Sequence, residues 1–145
     1  REMYQVPYGA LYNWFVASHP LIAPEGWRVP HLDDYEKLLA YLGGTNSRSG
    51  DRMKITGNYW QPSDNQSGAK PINDSDFSAY PAGGRGDQEG FVELGFFTYF
   101  WASSSYTNST NLADIMWLQY NSPHFYTVGL TATSFGVSLR LIKAD

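Results

Sequence analysis

The chain has 145 residues, a length that fits one domain built around one core. Apolar residues make up 42% and aromatics 17%, which excludes a disordered polymer; the formal net charge of −4 offers no basic face to phosphates or anionic lipids, so nucleic acid is not an expected partner. No apolar run approaches the roughly 20 residues of a membrane helix, so no membrane insertion by this domain is expected, and cysteine is absent, which removes disulfides, thiolate metal sites and thiol nucleophiles together.

The first element in chain order is "GALYNWFVAS", residues 9–18. It reads as a short helix with Leu11, Trp14, Phe15 and Ala17 partly on one side, or as an aromatic strand followed by a turn, with the helix favoured. "PEGWRVPHLDDYEKLLAYLGG" follows from Pro24 to Gly44. Its apolar residues Leu32, Tyr35, Leu38, Leu39 and Leu42 recur at three- and four-residue spacing and predict an amphipathic helix. Asp33 and Asp34 fall in the first turn, where the helix dipole favours anions, and Asp33 stands four residues before Lys37. Gly43 supplies a left-handed stop, while His31 at the cap position is a poor substitute for Ser, Thr or Asp. Trp27 is expected to plug the core beneath the Pro24-Glu25-Gly26 turn.

From residue 44 to residue 87, Gly, Ser, Asn, Asp and Pro recur every few positions, which predicts a long ordered loop. Beyond it "FVELGFFTYFWASSS", "ADIMWLQY", "HFYTVGL" and "FGVSLRLIK" carry aromatic and β-branched residues in short runs, and "VSLRLIK" alternates with Val137, Leu139 and Leu141 on one face. The expected class is α+β, with early helices, a loop-rich middle and a C-terminal antiparallel sheet.

The order "YGALYNW", "APEGWRVP", "LLAYLGG", "DFSAYPAGGR", "GFFTYFWASSSY" and "SFGVSLRLIK" spans nearly the whole chain and resembles the Fibrobacter succinogenes major paralogous domain, or FISUMP, family. The resemblance implies a single domain over residues 1–145 with a C-type lectin-like fold: two short helices flanking a small twisted antiparallel sheet with long ordered loops. It further implies an exported or surface-anchored bacterial protein, often a lipoprotein, without an established enzymatic activity. The chain starts at Arg1 rather than methionine and is read as part of a longer exported protein. Arg28 and His31 stand where the family usually has His and Thr, and Leu141 where it often has Cys.

No catalytic constellation emerges from the residue pattern. Ser103, Ser104 and Ser105 lie outside any G-x-S-x-G elbow, and His19, His31 and His124 are scattered. The related formylglycine-generating enzymes work through cysteines, which this chain lacks. "WQPSDNQSG" places Gln61, Pro62, Asp64 and Asn65 close together, as a calcium-binding lectin loop would, but Ser63 separates the proline from the aspartate and the pattern reads as polar loop. Neither metal nor cofactor is expected. Arg85-Gly86-Asp87 matches the tripeptide that integrins read, and Asn65, Asn73 and Asn108 begin N-x-S/T sequons; both signals are weak. A polysaccharide-cleaving enzyme would need two carboxylates about 5–10 Å apart across a cleft, and Asp64, Asp76, Asp87 and Glu89 are the acids available in loops.

Recognition without catalysis remains. Tyr106 to Ser134 mixes rigid aromatics with Asn, Ser, Thr and His, a composition close to antibody binding loops, although a polar-faced sheet accounts for the same pattern. The expected ligand-binding residues are Trp60, Tyr106, Asn108, Asp114, Trp117, Gln119, Asn121, His124 and Tyr126, facing a protein or glycan ligand. Strand alternation leaves two registers for "ADIMWLQY": Met116, Leu118 and Tyr120 inward with Ile115, Trp117 and Gln119 turned to solvent, or the reverse with Trp117 in the core. The resemblance to the family, which keeps a leucine at Leu118, favours the first and an accessible Trp117. A structural or assembly domain of a larger surface protein, and a diversified display protein of a diversity-generating retroelement, are the alternatives.

Overall fold

The computed structural model describes residues 7–64, 66–105 and 111–145. The leucine stripe forms helix α2, Leu32–Tyr41, and buries Tyr35, Leu39 and the following Leu42. At its C-terminal end Gly43 takes φ +108°; its N–H donates to Ala40 O at 3.1 Å and that of Gly44 to Leu39 O at 2.9 Å, the paired closure that a left-handed residue permits. At its N-terminal end the Asp34 carboxylate accepts the His31 backbone N–H at 2.7 Å, so the third helical residue reaches back to the cap position. Asp34 also holds Arg28 through two bonds of 2.6 and 3.0 Å. The ion pair of the first turn is thus made by Asp34, in place of the expected partnership between Asp33 and Lys37.

The first expected helix is a single turn, α1, Trp14–Ala17, capped by the Asn13 side chain accepting from Val16 N at 3.0 Å. Tyr12 before it is extended and pairs with Val137. The segment after residue 44 is not all loop: α3 covers Ser49–Met53. Ser, Gly and Asp are weak helix formers, and this helix exists through its dock. Gly50 N and Asp51 N donate to Pro123 O at 2.9 and 3.2 Å, Phe125 N donates to Ser49 Oγ at 3.1 Å, and a Cβ on Gly50 would collide with the His124 carbonyl.

Three small antiparallel sheets complete the α+β architecture. Strand β1, Trp27–Arg28, pairs with β7, Ile142–Lys143; β2, Gly84–Gly86, pairs with β3, Gly90–Val92. The largest sheet joins β4, Phe97–Ser105, to β5, Leu112–Gln119, and β5 to β6, Leu130–Ala132. Strand β2 includes Arg85 and Gly86, so these two residues sit in a hairpin rather than in the expected loop, with Arg85 over the Phe91 ring.

The β4–β5 pair is covered on both sides. Phe100, Ala102, Met116 and Leu118 face α2 in the larger core with Tyr35, Leu39, Met53 and Phe125. On the other face Trp101, Ala113 and Ile115 pack with Ala17 of α1 and Val137. The expectation that Ile115 turns to solvent is therefore overturned, because α1 and the Val137 segment cover this end of the face; Ile115 is buried. Trp27 is corrected in the opposite sense. It is 48% exposed on the two-residue β1 strand, whereas Trp101 of β4 is fully buried, with its indole N–H donating to Tyr12 O at 2.7 Å.

Candidate functional site

Antiparallel register decides which expected site residues meet. Phe97 lies opposite Gln119, and Tyr99 opposite Trp117, while Tyr126 bridges to the other edge of Trp117; these side chains alternate onto one face. The Trp117 and Tyr126 rings stack with centroids 4.8 Å apart and planes 10° from parallel. Phe97 and Tyr99 form a second stacked pair at 5.8 Å and 2°. Trp117 is half-buried, less open than expected, because Tyr126 lies along it and Gly129 packs against its six-membered ring where a Cβ would collide. Met116 and Leu118 are fully buried as expected, and Tyr120 is half-buried against Phe96.

Polar groups are pinned around the rings. Gln119 Nε2 donates to Asn121 Oδ1 at 2.7 Å, and the Tyr126 hydroxyl meets Ser122 Oγ at 2.8 Å. Tyr99 donates its hydroxyl to Glu93 at 2.6 Å; burial and that bond hold the phenol well above its usual range. His124 Nδ1 lies 2.9 Å from the Ser47 carbonyl, which only accepts, so Nδ1 carries the hydrogen and Nε2 of the neutral ring is the acceptor. His124 and Tyr126 also line a cleft of about 330 Å³ with Asn46, Thr45, Thr127 and Val128. That volume lies at the small end of ligand pockets.

Two expected residues do not join. Trp60 is buried in the larger core, where its indole N–H donates to Ala79 O at 3.1 Å and the Lys54 ammonium sits 5.3 Å over its ring. Its tryptophan-plus-proline context hid the burial. Asp114 alternates to the face opposite Trp117, where burial raises its carboxyl above the usual range. Tyr106 and Asn108 lie outside the described residues.

A second constellation was invisible in sequence because its members are far apart. Ser103 Oγ and His31 Nδ1 are 2.5 Å apart at a cavity of about 290 Å³ that the exposed Trp27 and Arg28 also line. Ser103 N donates to Pro30 O at 2.7 Å, so both contacts tie the entry of α2 to β4. A general base needs a group that orients its ring. The nearest carboxylate, Asp34, is bonded to the His31 backbone and to Arg28, and no described carboxylate bonds the ring. None of the three cavities described here is lined by Asp64, Asp76, Asp87 or Glu89. The Asp64 carboxylate accepts from Ser67 N at 3.1 Å, and among the described residues no group of three or more His, Asp or Glu is placed to hold a metal ion.

The order of sequence landmarks is matched by one family. A family model described as the Fibrobacter succinogenes major domain matches residues 2–143. The chain belongs to that family. Within this Fibrobacter succinogenes major domain the two-sided β4–β5 sheet and its aromatic row are built by the matched region itself. No curated protein and no solved structure matches the chain. Among the described residues no helix is long and apolar enough to cross a membrane.

Proposed function

We propose that this domain is a non-catalytic binding module of an exported or surface-anchored bacterial protein, built on a C-type lectin-like scaffold and recognising a glycan or protein ligand through the Trp117 face and the cleft beside it. The stacked Trp117–Tyr126 pair carries the reading, because Tyr126 joins the aromatic row to a cleft with Asn46, Thr45 and Thr127. Aromatic rings pack on the apolar C–H faces of sugars, and fixed amides and hydroxyls bond their hydroxyls. The Gln119–Asn121 bond and the His124–Ser47 bond support it, since they orient those groups before a ligand arrives. The helix α2 beside the sheet and the long loops support the lectin-like scaffold.

The test is capture on a glycan array and from a cell-envelope extract. Tyr126→Ala and Asn46→Ala, with folding checked by circular dichroism, are expected to weaken capture about tenfold and severalfold. Capture that both variants leave unchanged would place the site elsewhere.

The alternative, an assembly domain of a larger surface protein, is favoured by another observation: Phe15, Val16, Leu21 and Trp27 are exposed apolar side chains near the α1 end. Clustered exposed hydrophobes are a common feature of protein interfaces.

A further inference from the structure

Away from the Trp117 face, a cavity of about 340 Å³ lies between the Tyr8–Tyr12 segment and residues 138–140. Arg140 forms part of its wall. The guanidinium lies 4.6 Å over the Phe77 ring and 5.9 Å from that of Phe100, and its Nη2 donates to Phe77 O at 2.8 Å and Ser78 O at 3.2 Å. Two carbonyls and two rings hold the group in place but bring no negative charge. None of the ion pairs among the described residues includes Arg140, and its Nη1 and Nε donors bond no described acceptor. Burial accordingly lowers its affinity for the proton, with no described carboxylate to offset the effect. Arg140 is a half-buried guanidinium with no described carboxylate beside it, and its planar fork matches a carboxylate.

The remaining walls narrow the ligand. Tyr80 is held edge-on by Tyr8 at 6.1 Å and by Tyr59 at 4.9 Å, which fixes an aromatic surface in the cavity. Tyr12, Tyr80 and Ser138, each carrying a hydroxyl, line the same cavity. Among the described residues no Asp or Glu lines it, which disfavours an amino acid, whose ammonium would lack a described partner. A phosphate dianion would meet only one cation among the described lining residues. The volume accommodates one ring.

We propose that this cavity binds a carboxylate-bearing sugar ring, a single uronic acid residue, with its carboxylate on the free Arg140 donors, its ring against the tyrosines and its hydroxyls on Tyr12, Tyr80 and Ser138. The site shares no residue with the Trp117 cleft, so either stands if the other fails.

The experiment is a residue-resolved NMR titration of the whole chain with sodium glucuronate, glucose and sodium acetate at equal ionic strength. Glucuronate is expected to shift the amides of Tyr12, Tyr80 and Ser138 saturably, while glucose lacks the carboxylate and acetate the ring, so each binds at least about fivefold more weakly. Tyr80→Phe and Ser138→Ala keep the packing and each lose one hydrogen-bonding hydroxyl, for about fivefold weaker binding with an unchanged melting profile. Arg140→Lys keeps the charge, loses the fork and weakens binding tenfold or more; should it fail to fold, the two hydroxyl variants decide alone. Absence of a saturable shift, equal binding of glucose or acetate, or hydroxyl variants that bind as tightly as the parent would overturn the assignment.

Discussion

Asp34 and Asp114 are carboxylates that the fold treats in opposite ways. The hydrogen bond from Arg28 holds Asp34 below the usual carboxylate range, with the His31 N–H adding to it, so the ionised form belongs to the folded state. Its contribution is present above about pH 4 and is lost as the pH falls through the lowered folded value. Burial raises Asp114, so the folded state favours its neutral form; that contribution is full below about pH 4 and is lost as the pH rises through the raised value. Urea unfolding at two pH values separates them. At pH 7 Asp34→Asn is expected to lose about 0.5–2 kcal/mol, the usual worth of a helix cap, and near pH 2.5 most of that difference should vanish. Asp114→Asn is expected to raise stability at pH 7 and change little near pH 2.5; a loss at pH 7 would mean that the ionised carboxylate has a stabilising partner.

At the level of elements, α3 shows what the sequence conceals. Its stability rests on a buried ion pair: Lys54 and Asp51 have no exposed side-chain surface, Lys54 Nζ lies 3.2 Å from Asp51 Oδ1 and donates to Ser122 O at 2.6 Å, and Arg48 Nη2 reaches Asp51 Oδ2 at 2.6 Å. Burial pulls the lysine below its usual range, with Asp51 opposing the shift. Lys54→Met leaves the fully buried Asp51 with Arg48 as its remaining described cation, so it is expected to cost up to about 3–5 kcal/mol in chemical denaturation. The double variant Asp51→Asn/Lys54→Met should cost clearly less than the two single changes summed; strict additivity would mean the charges do not act as a pair. Nothing in "NSRSGDRMKITG" announces this, because charged residues beside glycine and serine read as solvated turn until the 122–125 segment packs over them. The leucine stripe of α2, by contrast, was readable because its period is local and its stop is a glycine that adopts the positive φ. Trp117, Gln119, Asn121, His124 and Tyr126 were legible as a group for a similar reason: strand alternation and short sequence separation bring them together. The partners of His31 and Arg140 were not, since Ser103 and Phe77 are set by tertiary packing alone.

Across the whole molecule, the β4–β5 sheet has a core on each face, and this two-sidedness explains why Ile115 is buried. Alternation with one wet face placed Ile115 in solvent, and a second cover from α1 and Val137 buries it together with Trp101, while Trp27 stays outside that core. Thermal melts make the contrast measurable. Trp101→Ala is expected to cost about 3–5 kcal/mol, whereas Trp27→Ala, with nearly half its surface already in water, should cost about 1 kcal/mol or less. Comparable losses from the two changes would mean that Trp27 is a core residue after all.

The pairing of β1 with β7 also sets an order of events. Hairpins such as β4–β5 join neighbours in sequence, but Trp27 meets Lys143 only after nearly the entire intervening chain has been drawn together, and closing so long a loop carries an entropic cost that two residue pairs cannot offset by themselves. The clasp therefore closes late, on a scaffold already formed. During synthesis Trp27 meets its partner only once Lys143 has been made, and hydrogen exchange is expected to find these two pairs among the first to open.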